Sequence, residues 1–279
     1  LFKFLFISPV GIYSLLLILL PLIYIFVISF FKSDGYGGMI EVFTLGNYIQ
    51  LFDMVYVKIF TQSIIIALVV TFICILIAYP FALAISHKSK ITQKVLMTLV
   101  MVPFLTNSLI RMYGWIVLLR KSGVINRFLL DLSLINNPLE LMYNNFGIII
   151  GMVYTFLPFM ILPIYNSVSV IDKSLLEASS DLGASKIKTF FKVVLPTLIP
   201  GILSGAQLAF TLSLDDVVVS YFTAGPESNT LPLQVFSMIK TGVTPDVNAM
   251  ITIMLGIIFF VLFISMCFNI RKIKREERI

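Results

Sequence analysis

Long apolar stretches alternate with short polar ones along this chain, and six of the apolar stretches are long enough to cross a lipid bilayer. A transmembrane helix needs about 20 apolar residues, and these stretches are too long and too continuously apolar for barrel strands. The pattern therefore predicts an all-α polytopic membrane protein with six transmembrane helices. We place them at Leu5–Phe31, Ile59–Ile85, Val95–Leu119, Phe146–Val170, Thr197–Phe222 and Val247–Ile270.

Composition supports this prediction and excludes other classes. The 279 residues are 59% hydrophobic and 12% charged, whereas a soluble domain carries roughly 25% charged residues. The net charge of +6 comes from basic residues in short loops rather than on one solvated face, so we expect no nucleic-acid partner. Two isolated cysteines and a single histidine do not have the spacing of a metal site, and we expect none.

The basic residues also predict the orientation of the chain. With the N-terminus inside, thirteen lysines and arginines lie in the inner segments and six in the outer ones. Inner loops are enriched in Lys and Arg, so we expect both termini in the cytoplasm. The polar segment at about 171–196 then lies on the cytoplasmic side.

This polar segment lies between the fourth and fifth predicted spans and has the pattern of a helix, a turn and a second helix. A short amphipathic stretch leads to Gly183, where a helix C-terminus favours a residue that tolerates positive φ. A second amphipathic stretch follows and reaches the fifth span at Leu195 and Pro196. By composition alone, an amphipathic hairpin lying on the membrane surface fits equally well.

The spacing within the segment is more specific than its composition. It follows the pattern Glu-Ala-Ala, three residues, Gly, nine residues, Ile, one residue, Leu-Pro. The identical positions are Glu177, Ala178, Gly183, Leu195 and Pro196, and the close replacements are Ser179 and Val193. This pattern resembles the cytoplasmic loop of permease subunits of ATP-binding-cassette (ABC) importers.

The resemblance implies a type I ABC importer permease fold in the bacterial inner membrane. It divides the chain into a first helix with an external loop (1–58), the ABC transmembrane domain (59–270) and a basic tail (271–279). In that family the loop docks into a cleft of a cassette ATPase. Glu177 would make polar contacts there, Ala178 would allow close approach and Gly183 would form the turn. The candidate docking residues are Glu177, Ala178, Ser179, Asp181, Gly183, Leu195 and Pro196.

The resemblance also implies partners and assigns the cofactors to them. The chain has no Gly-rich phosphate loop ending in Gly-Lys-Ser or Gly-Lys-Thr, so ATP and Mg²⁺ would be bound by the separate ATPase dimer and no cofactor by this chain. A second permease, either a paralogue or a copy of this chain, would complete the pathway. A soluble extracytoplasmic binding protein would deliver the substrate.

Other segments resemble the permeases of bacterial spermidine/putrescine importers. One permease of these systems is matched by Phe43–Tyr48, Val102–Gly114 and Leu157–Met160. The partner permease is matched by Ala209–Ser220, Leu231–Leu233 and Met238–Ala249. The implied substrate is a polyamine, with the choice between spermidine and putrescine and the identity of the subunit left open. Another small solute is the alternative.

Two adjacent acids in the fifth predicted span fit such a cargo. Asp215 and Asp216 lie about 28 Å from Pro196 along a straight helix, past the midplane. A carboxylate in a membrane is costly unless it is paired or hydrated, and it would suit the ammonium groups of a polyamine. Tyr221 would add a cation–π contact. Adjacent residues point about 100° apart on a helix, so we expect at most one of the acids to face the pathway.

The alternative is that the acids pair with Arg111 or with a neighbouring subunit. Arg111 lies beside Tyr113 and Trp115, a grouping typical of an anchor at the outer membrane interface.

Two other function classes fit the sequence less well. A secondary transporter would explain the spans but should show inverted repeats or broken helices in matching positions, which the sequence does not indicate. A membrane-embedded enzyme would need a clustered nucleophile, acid–base pair or metal set, and none is evident.

Overall fold

The computed structural model describes residues 2–34, 38–171 and 173–276, and their regular structure is almost entirely helical. Two short strands lie after the first helix, and a π-helical turn, Phe190–Val194, joins α9 to α10. The elements are α1 (Phe2–Ile28), β1 (Phe31–Ser33), β2 (Met39–Phe43), α2 (Gly46–Gln50), α3 (Met54–Ser86), α4 (Lys90–Leu105), α5 (Ser108–Leu119), α6 (Val124–Asp131), α7 (Asn145–Ser169), α8 (Lys173–Asp181), α9 (Lys186–Thr189), α10 (Leu195–Asp215), α11 (Val218–Thr223), α12 (Leu231–Thr241) and α13 (Pro245–Glu276).

Four helical stretches in the described part of the chain are long and apolar enough to cross a membrane. They are Met54–Ser86, Asn145–Ser169, Lys186–Asp215 and Pro245–Ile264. The bent pair formed by α4 and the helices after it makes a fifth if it is counted as one span. α1 is 27 residues long, and its segment Tyr13–Ile28 is a shorter apolar helix. The all-α polytopic class is confirmed, and the sixth span remains a prediction.

The third predicted span is not one continuous helix, so that prediction was wrong. Between α4 and α5 the axis bends by 91°. Pro103 lies in the last turn of α4, and Thr106 after it is extended. Asn107 then begins α5, because its side-chain oxygen accepts a hydrogen bond from the Leu109 backbone N–H at 2.8 Å. Asn107 is therefore a helix cap, which satisfies a donor that the broken helix would leave unpaired.

The chain divides into two compact units, of which the first comprises Leu1–Ile59 and Leu233–Phe260. Its two strands pair antiparallel, with Phe31 opposite Phe43, a small β element within the predicted all-α class. Buried Asn47 closes this loop by donating from Nδ2 to the carbonyls of Ser29 and Phe31, both at 2.8 Å. The Ser29 and Tyr48 hydroxyls hydrogen-bond at 2.6 Å.

The second unit comprises Phe60–Pro232 and Val261–Ile279, and α7 lies in its core. Five large side chains of α7 are almost fully buried there: Ile148, Met152, Met160, Ile161 and Ile164. α10 packs closely along α7 because glycines face it. A Cβ on Gly201 would lie 2.5 Å from the Pro163 carbonyl oxygen, and one on Gly205 would lie 3.2 Å from Met160 Cα. Small residues that let helix backbones approach are typical of membrane helix pairs.

Candidate functional site

The candidate docking segment has the predicted helix, glycine turn and helix. α8 ends in a left-handed turn at Gly183, whose φ is +72°. The Ala184 N–H donates to the Ser179 carbonyl at 3.1 Å, and the Gly183 N–H donates to the Ser180 carbonyl at 2.9 Å. This pair of bonds is the Schellman motif, which satisfies carbonyls at a helix C-terminus. Asp172 directly precedes α8 and is of a residue type that favours helix N-caps, but it lies outside the described residues.

A side-chain bond fixes the angle between the two helices of this segment. The hydroxyls of Ser179 on α8 and Thr189 on α9 hydrogen-bond at 2.7 Å. Ser179 is one of the residues that departs from the sequence pattern, where alanine is expected, and an alanine would not make this bond. The sequence did not indicate this contact because it depends on how sharply the turn folds back.

The outer surface of the segment combines exposed acids with exposed apolar side chains. Glu177, Ala178 and Asp181 are all exposed. Leu182 is 87% exposed and Ile187 72% exposed. The segment therefore leaves both acidic and apolar side chains open to a partner.

The second half of the segment runs without interruption into the fifth span. The Leu195 N–H donates to the carbonyl of Phe190, five residues back, as in a π-helix. Pro196 follows in the first turn of α10. Proline removes one helix donor and crowds the preceding turn, and a π-helical turn at this place gives it room. Phe190 is held by an edge-to-face contact with Tyr79, with ring centroids 5.8 Å apart.

The fifth predicted span breaks at the acidic pair, so its prediction as one helix through Phe222 was wrong. α10 ends at Asp215, and Asp216 is extended, with φ −77° and ψ 113°. Asp216 Oδ1 accepts a hydrogen bond from the Val219 N–H at 2.6 Å and so caps α11. The expectation of unbroken spans therefore fails at two places, and both breaks are made by a capping Asn or Asp.

The two acids have different surroundings. Asp215 is exposed, and Asp216 is partly buried and engaged as a cap. Tyr221, on the short helix that Asp216 caps, is 52% exposed and contacts Phe222 edge to face at 5.3 Å. The break therefore carries Asp215, Asp216 and Tyr221 on one short stretch of chain.

Arg111 lies in the same region but does not have the surroundings of an interfacial anchor. Its Nε and Nη1 atoms are buried without a hydrogen-bond partner in the described part of the chain. Its charge interacts with the Asp216 carboxylate. Met112 next to Arg111 and Val219 on α11 both lie against Gly151 of α7, since a Cβ added to Gly151 would come within 4 Å of each. Arg111 therefore lies within electrostatic range of Asp216, but no ion pair joins the two side chains.

Among the residues that the structure describes, no group of three or more His, Cys, Asp or Glu side chains could hold a metal ion. The candidate site thus consists of an acidic break in a membrane helix and a separate segment with exposed acidic and apolar side chains.

A known protein family matches most of the chain. The family described as "Binding-protein-dependent transport system inner membrane component" matches residues 78–273. The chain belongs to this family. As an inner-membrane component of such a system it is a multi-pass transport subunit, and the sequence-based expectation that it is not an enzyme is confirmed.

Two curated relatives of this inner-membrane component carry substrate names. The spermidine/putrescine transport system permease protein PotB of Escherichia coli K12 is 36% identical over 250 residues, which cover 88% of this chain and 91% of PotB. The spermidine/putrescine transport system permease protein PotC of Haemophilus influenzae is 48% identical over 99 residues, 36% of this chain and 38% of PotC. The similarity to both permeases agrees with the resemblance seen in the sequence.

A solved structure confirms the fold of the inner-membrane component. The chain superposes on a subunit of a bacterial alginate ABC transporter, in complex with its alginate pentasaccharide-bound periplasmic protein, with a TM-score of 0.74. The match covers 95% of this chain and 92% of the other at 15% identity. At that identity the likeness shows the fold, which is the predicted permease fold of ABC importers.

Proposed function

We propose that this chain is the membrane-spanning permease subunit of an ATP-driven importer of polyamines. One observation carries the proposal: 36% identity across 88% of the chain with a spermidine/putrescine permease. The shorter match to a second permease with the same substrate name supports it independently. Either spermidine or putrescine remains open as the preferred cargo.

The docking segment supports coupling to a separate cassette ATPase. Its exposed apolar side chains, Leu182 and Ile187, lie on the same short segment as the exposed carboxylate of Glu177. A cleft on the ATPase would bury the apolar side chains and pair with the acid. The positive φ of Gly183 gives the turn its shape, and ATP and Mg²⁺ would bind to the partner, not to this chain.

The break in the fifth span supports a cationic substrate. Asp215 is exposed, and an exposed carboxylate deep in a membrane protein is tolerated where it faces water or a charged ligand. A polyamine offers ammonium groups separated by methylene runs. Asp215 would bind one ammonium group, and the half-exposed ring of Tyr221 would offer its face to another. Asp216 would shape the site as the cap of α11.

The full transporter would contain two permeases, two ATPase subunits and an extracytoplasmic binding protein. The second permease would be a paralogue or another copy of this chain, with the pathway between them. With both termini in the cytoplasm, the docking segment faces the ATPases. Binding of ATP would bring the ATPases together, move the docking segments and open the pathway outward. Hydrolysis would then reset it.

A transport assay with purified components tests the proposal. The chain is co-expressed with the ATPase and permease that co-purify with it, reconstituted into liposomes and supplied with the binding protein. Uptake of radiolabelled spermidine and putrescine is measured with Mg-ATP and with a non-hydrolysable ATP analogue. We expect uptake only with hydrolysable ATP, and competition by unlabelled polyamines but not by an uncharged sugar.

Two outcomes would contradict the proposal. Uptake driven by an ion gradient without the ATPase would indicate a secondary transporter. ATP-dependent uptake of another solute, with no competition by polyamines, would keep the importer and change the substrate.

A further inference from the structure

We propose that the groove between α4 and α7 binds one anionic phospholipid from the inner leaflet, with its phosphate at Lys90 and Lys94. The groove has a volume of about 530 Å³. Besides the lysines, its lining includes Met97, Met101 and Tyr165. Its own lining contains no residue of the docking segment or of the acidic break.

The lining changes from basic to apolar along α4. This order matches an anionic phospholipid, whose negatively charged headgroup is followed by apolar acyl chains. Lys90 and Lys94 are four residues apart and so lie on one face of the helix. Met97 and Met101 continue that side about one and two turns further on. Lys90 and Met101 are about 16 Å apart along the helix axis, enough to pass from the headgroup level into the hydrocarbon. Lys90 and Lys94 would bind the phosphate, and an acyl chain would lie along the two methionines.

The positive charge at this end of the groove has no counterpart nearby. The stretch 86–94 contains Lys88, Lys90 and Lys94 but no Asp or Glu. No described carboxylate lies within ion-pair distance of Lys90 or Lys94. Basic pockets between membrane helices on the cytoplasmic side bind anionic lipid headgroups, and the orientation predicted above places this turn there.

The floor of the groove is held in place by buried hydrogen bonds. Gln93 is only 6% exposed. Its Nε2 donates to the Ser86 and Lys88 carbonyls at 2.9 Å each, and its Oε1 accepts from the Tyr165 hydroxyl at 2.9 Å. These bonds tie the turn between α3 and α4 to α7, so the lysines are presented by a preformed site.

A second cavity continues the groove toward the helix ends. It has a volume of about 380 Å³, and its lining includes His87, Lys88, Lys90 and Gln93 as well as Ile171 and Val194 from the two ends of the docking segment. Lys90 and Gln93 line both cavities. A phosphate at Lys90 would therefore have room for a polar headgroup on one side and for an acyl chain on the other. The apolar part of the groove, at Met97 and Met101, favours a lipid over an acidic patch of the ATPase as the occupant. The ATPase is a soluble protein and would not reach Met101.

Native mass spectrometry of the intact, detergent-purified chain tests the site. The chain is titrated with phosphatidylglycerol and with phosphatidylcholine of the same acyl chains. The test variant is Lys90→Gln with Lys94→Gln. The control variant, Lys186→Gln with Lys188→Gln, removes the same charge from the docking segment. We expect the test variant to bind phosphatidylglycerol about 30-fold more weakly, and the control variant to bind it like the unaltered chain.

Further measurements test separately whether binding depends on the lysine charge, on the acyl chain and on a correctly folded chain. Lys90→Arg with Lys94→Arg keeps the charge and should retain binding, which also shows that changes at these positions do not unfold the chain. Glycerol 3-phosphate should not compete, because it lacks the acyl chain. The proposal is overturned by equal binding of both lipids, by effective competition from glycerol 3-phosphate, or by an equal loss in the control variant.

Discussion

Asp216 Oδ1 lies 2.6 Å from the Val219 amide nitrogen, so this carboxylate begins a new helix at the point where the fifth span ends. Its neighbour Asp215 is exposed and ends the preceding helix. The two adjacent acids thus differ: Asp216 caps a helix, whereas the carboxylate of Asp215 is exposed. This difference leads to two separate predictions.

Replacing Asp215 with Asn should reduce polyamine uptake without affecting assembly. An ion pair at a partly hydrated site is worth about 1–3 kcal/mol, so we expect uptake to fall roughly 5- to 150-fold. Assembled complexes are quantified first, and radiolabelled uptake is then measured. Asp53→Asn, at another exposed aspartate, serves as the control. Unchanged uptake by an assembled Asp215→Asn complex would remove this acid from the substrate path.

At Asp216, alanine and asparagine should have different effects. Alanine removes the cap of α11 and should lower the free energy of unfolding by about 1 kcal/mol. Asparagine keeps an oxygen that can accept the Val219 N–H and should cost much less. The thermal denaturation midpoint of the purified chain in detergent measures both. If asparagine is as destabilising as alanine, the negative charge of Asp216, rather than its hydrogen bond to Val219, is what stabilises the fold.

Gly183→Val should prevent the ATPase from docking while membrane insertion remains normal. Gly183 has a φ of +72°, and a Cβ added to it would have no neighbouring atom within 4 Å, so strain in the backbone, not a clash, is the expected cause. The cost is about 1–2 kcal/mol or more for a β-branched side chain. Co-purification of the ATPase is the measurement.

Two control variants accompany this experiment. Gly183→Asn should keep most of the docking, because Asn tolerates the left-handed conformation. Gly256→Val also adds a side chain in open space but without a positive φ, and should dock normally. Normal ATPase recovery with Gly183→Val would contradict the docking role of the turn.

Gly201→Ala should destabilise the contact between α7 and α10. The added Cβ would lie 2.5 Å from the Pro163 carbonyl oxygen, and a backbone atom cannot move aside as a side chain can. Overpacking of this kind costs about 1–3 kcal/mol, which outweighs the higher helix propensity of Ala. The thermal denaturation midpoint is compared with that of Gly256→Ala, where the methyl group meets no neighbour. Equal midpoints would indicate that the two helices are free to separate.

Labelling of single cysteines tests the orientation. Ser89 and Lys188 should be cytoplasmic, and Asn136 and Glu227 should be external; all four are exposed. Each is changed to Cys in a background without the two native cysteines. A membrane-impermeant maleimide should label only the external pair in intact cells and all four after permeabilisation. Labelling of position 188 in intact cells would reverse the orientation.

Apolar runs predicted the uninterrupted helices well and the breaks poorly. α7, Asn145–Ser169, lies within one residue of its predicted bounds at each end, because hydropathy changes abruptly there. The breaks at Asn107 and Asp216 were missed, since a bend in an apolar run leaves the hydropathy unchanged. A signal was present: each break has an Asn or Asp, the residues that prefer helix N-caps, inside a predicted span.

The candidate site was predictable where it depends on local geometry. Gly183 was placed in its turn by residue type and spacing alone. The bond from Ser179 to Thr189 and the buried guanidinium nitrogens of Arg111 were not, because both depend on which helices meet in three dimensions. Arg111 was interpreted from its aromatic neighbours in sequence, whereas in the structure two of its guanidinium nitrogens are buried.

The unbroken helical backbone from Lys186 to Asp215 has a mechanical consequence. Thirty residues of helix form a stiff rod about 45 Å long, and a small tilt of a rod at one end becomes a larger displacement at the other. The rod starts in the segment where the ATPase is proposed to hold the chain and ends at the acid proposed to hold the cargo. A single element would thus convert a push at the inner face into movement of a charge near the outer face.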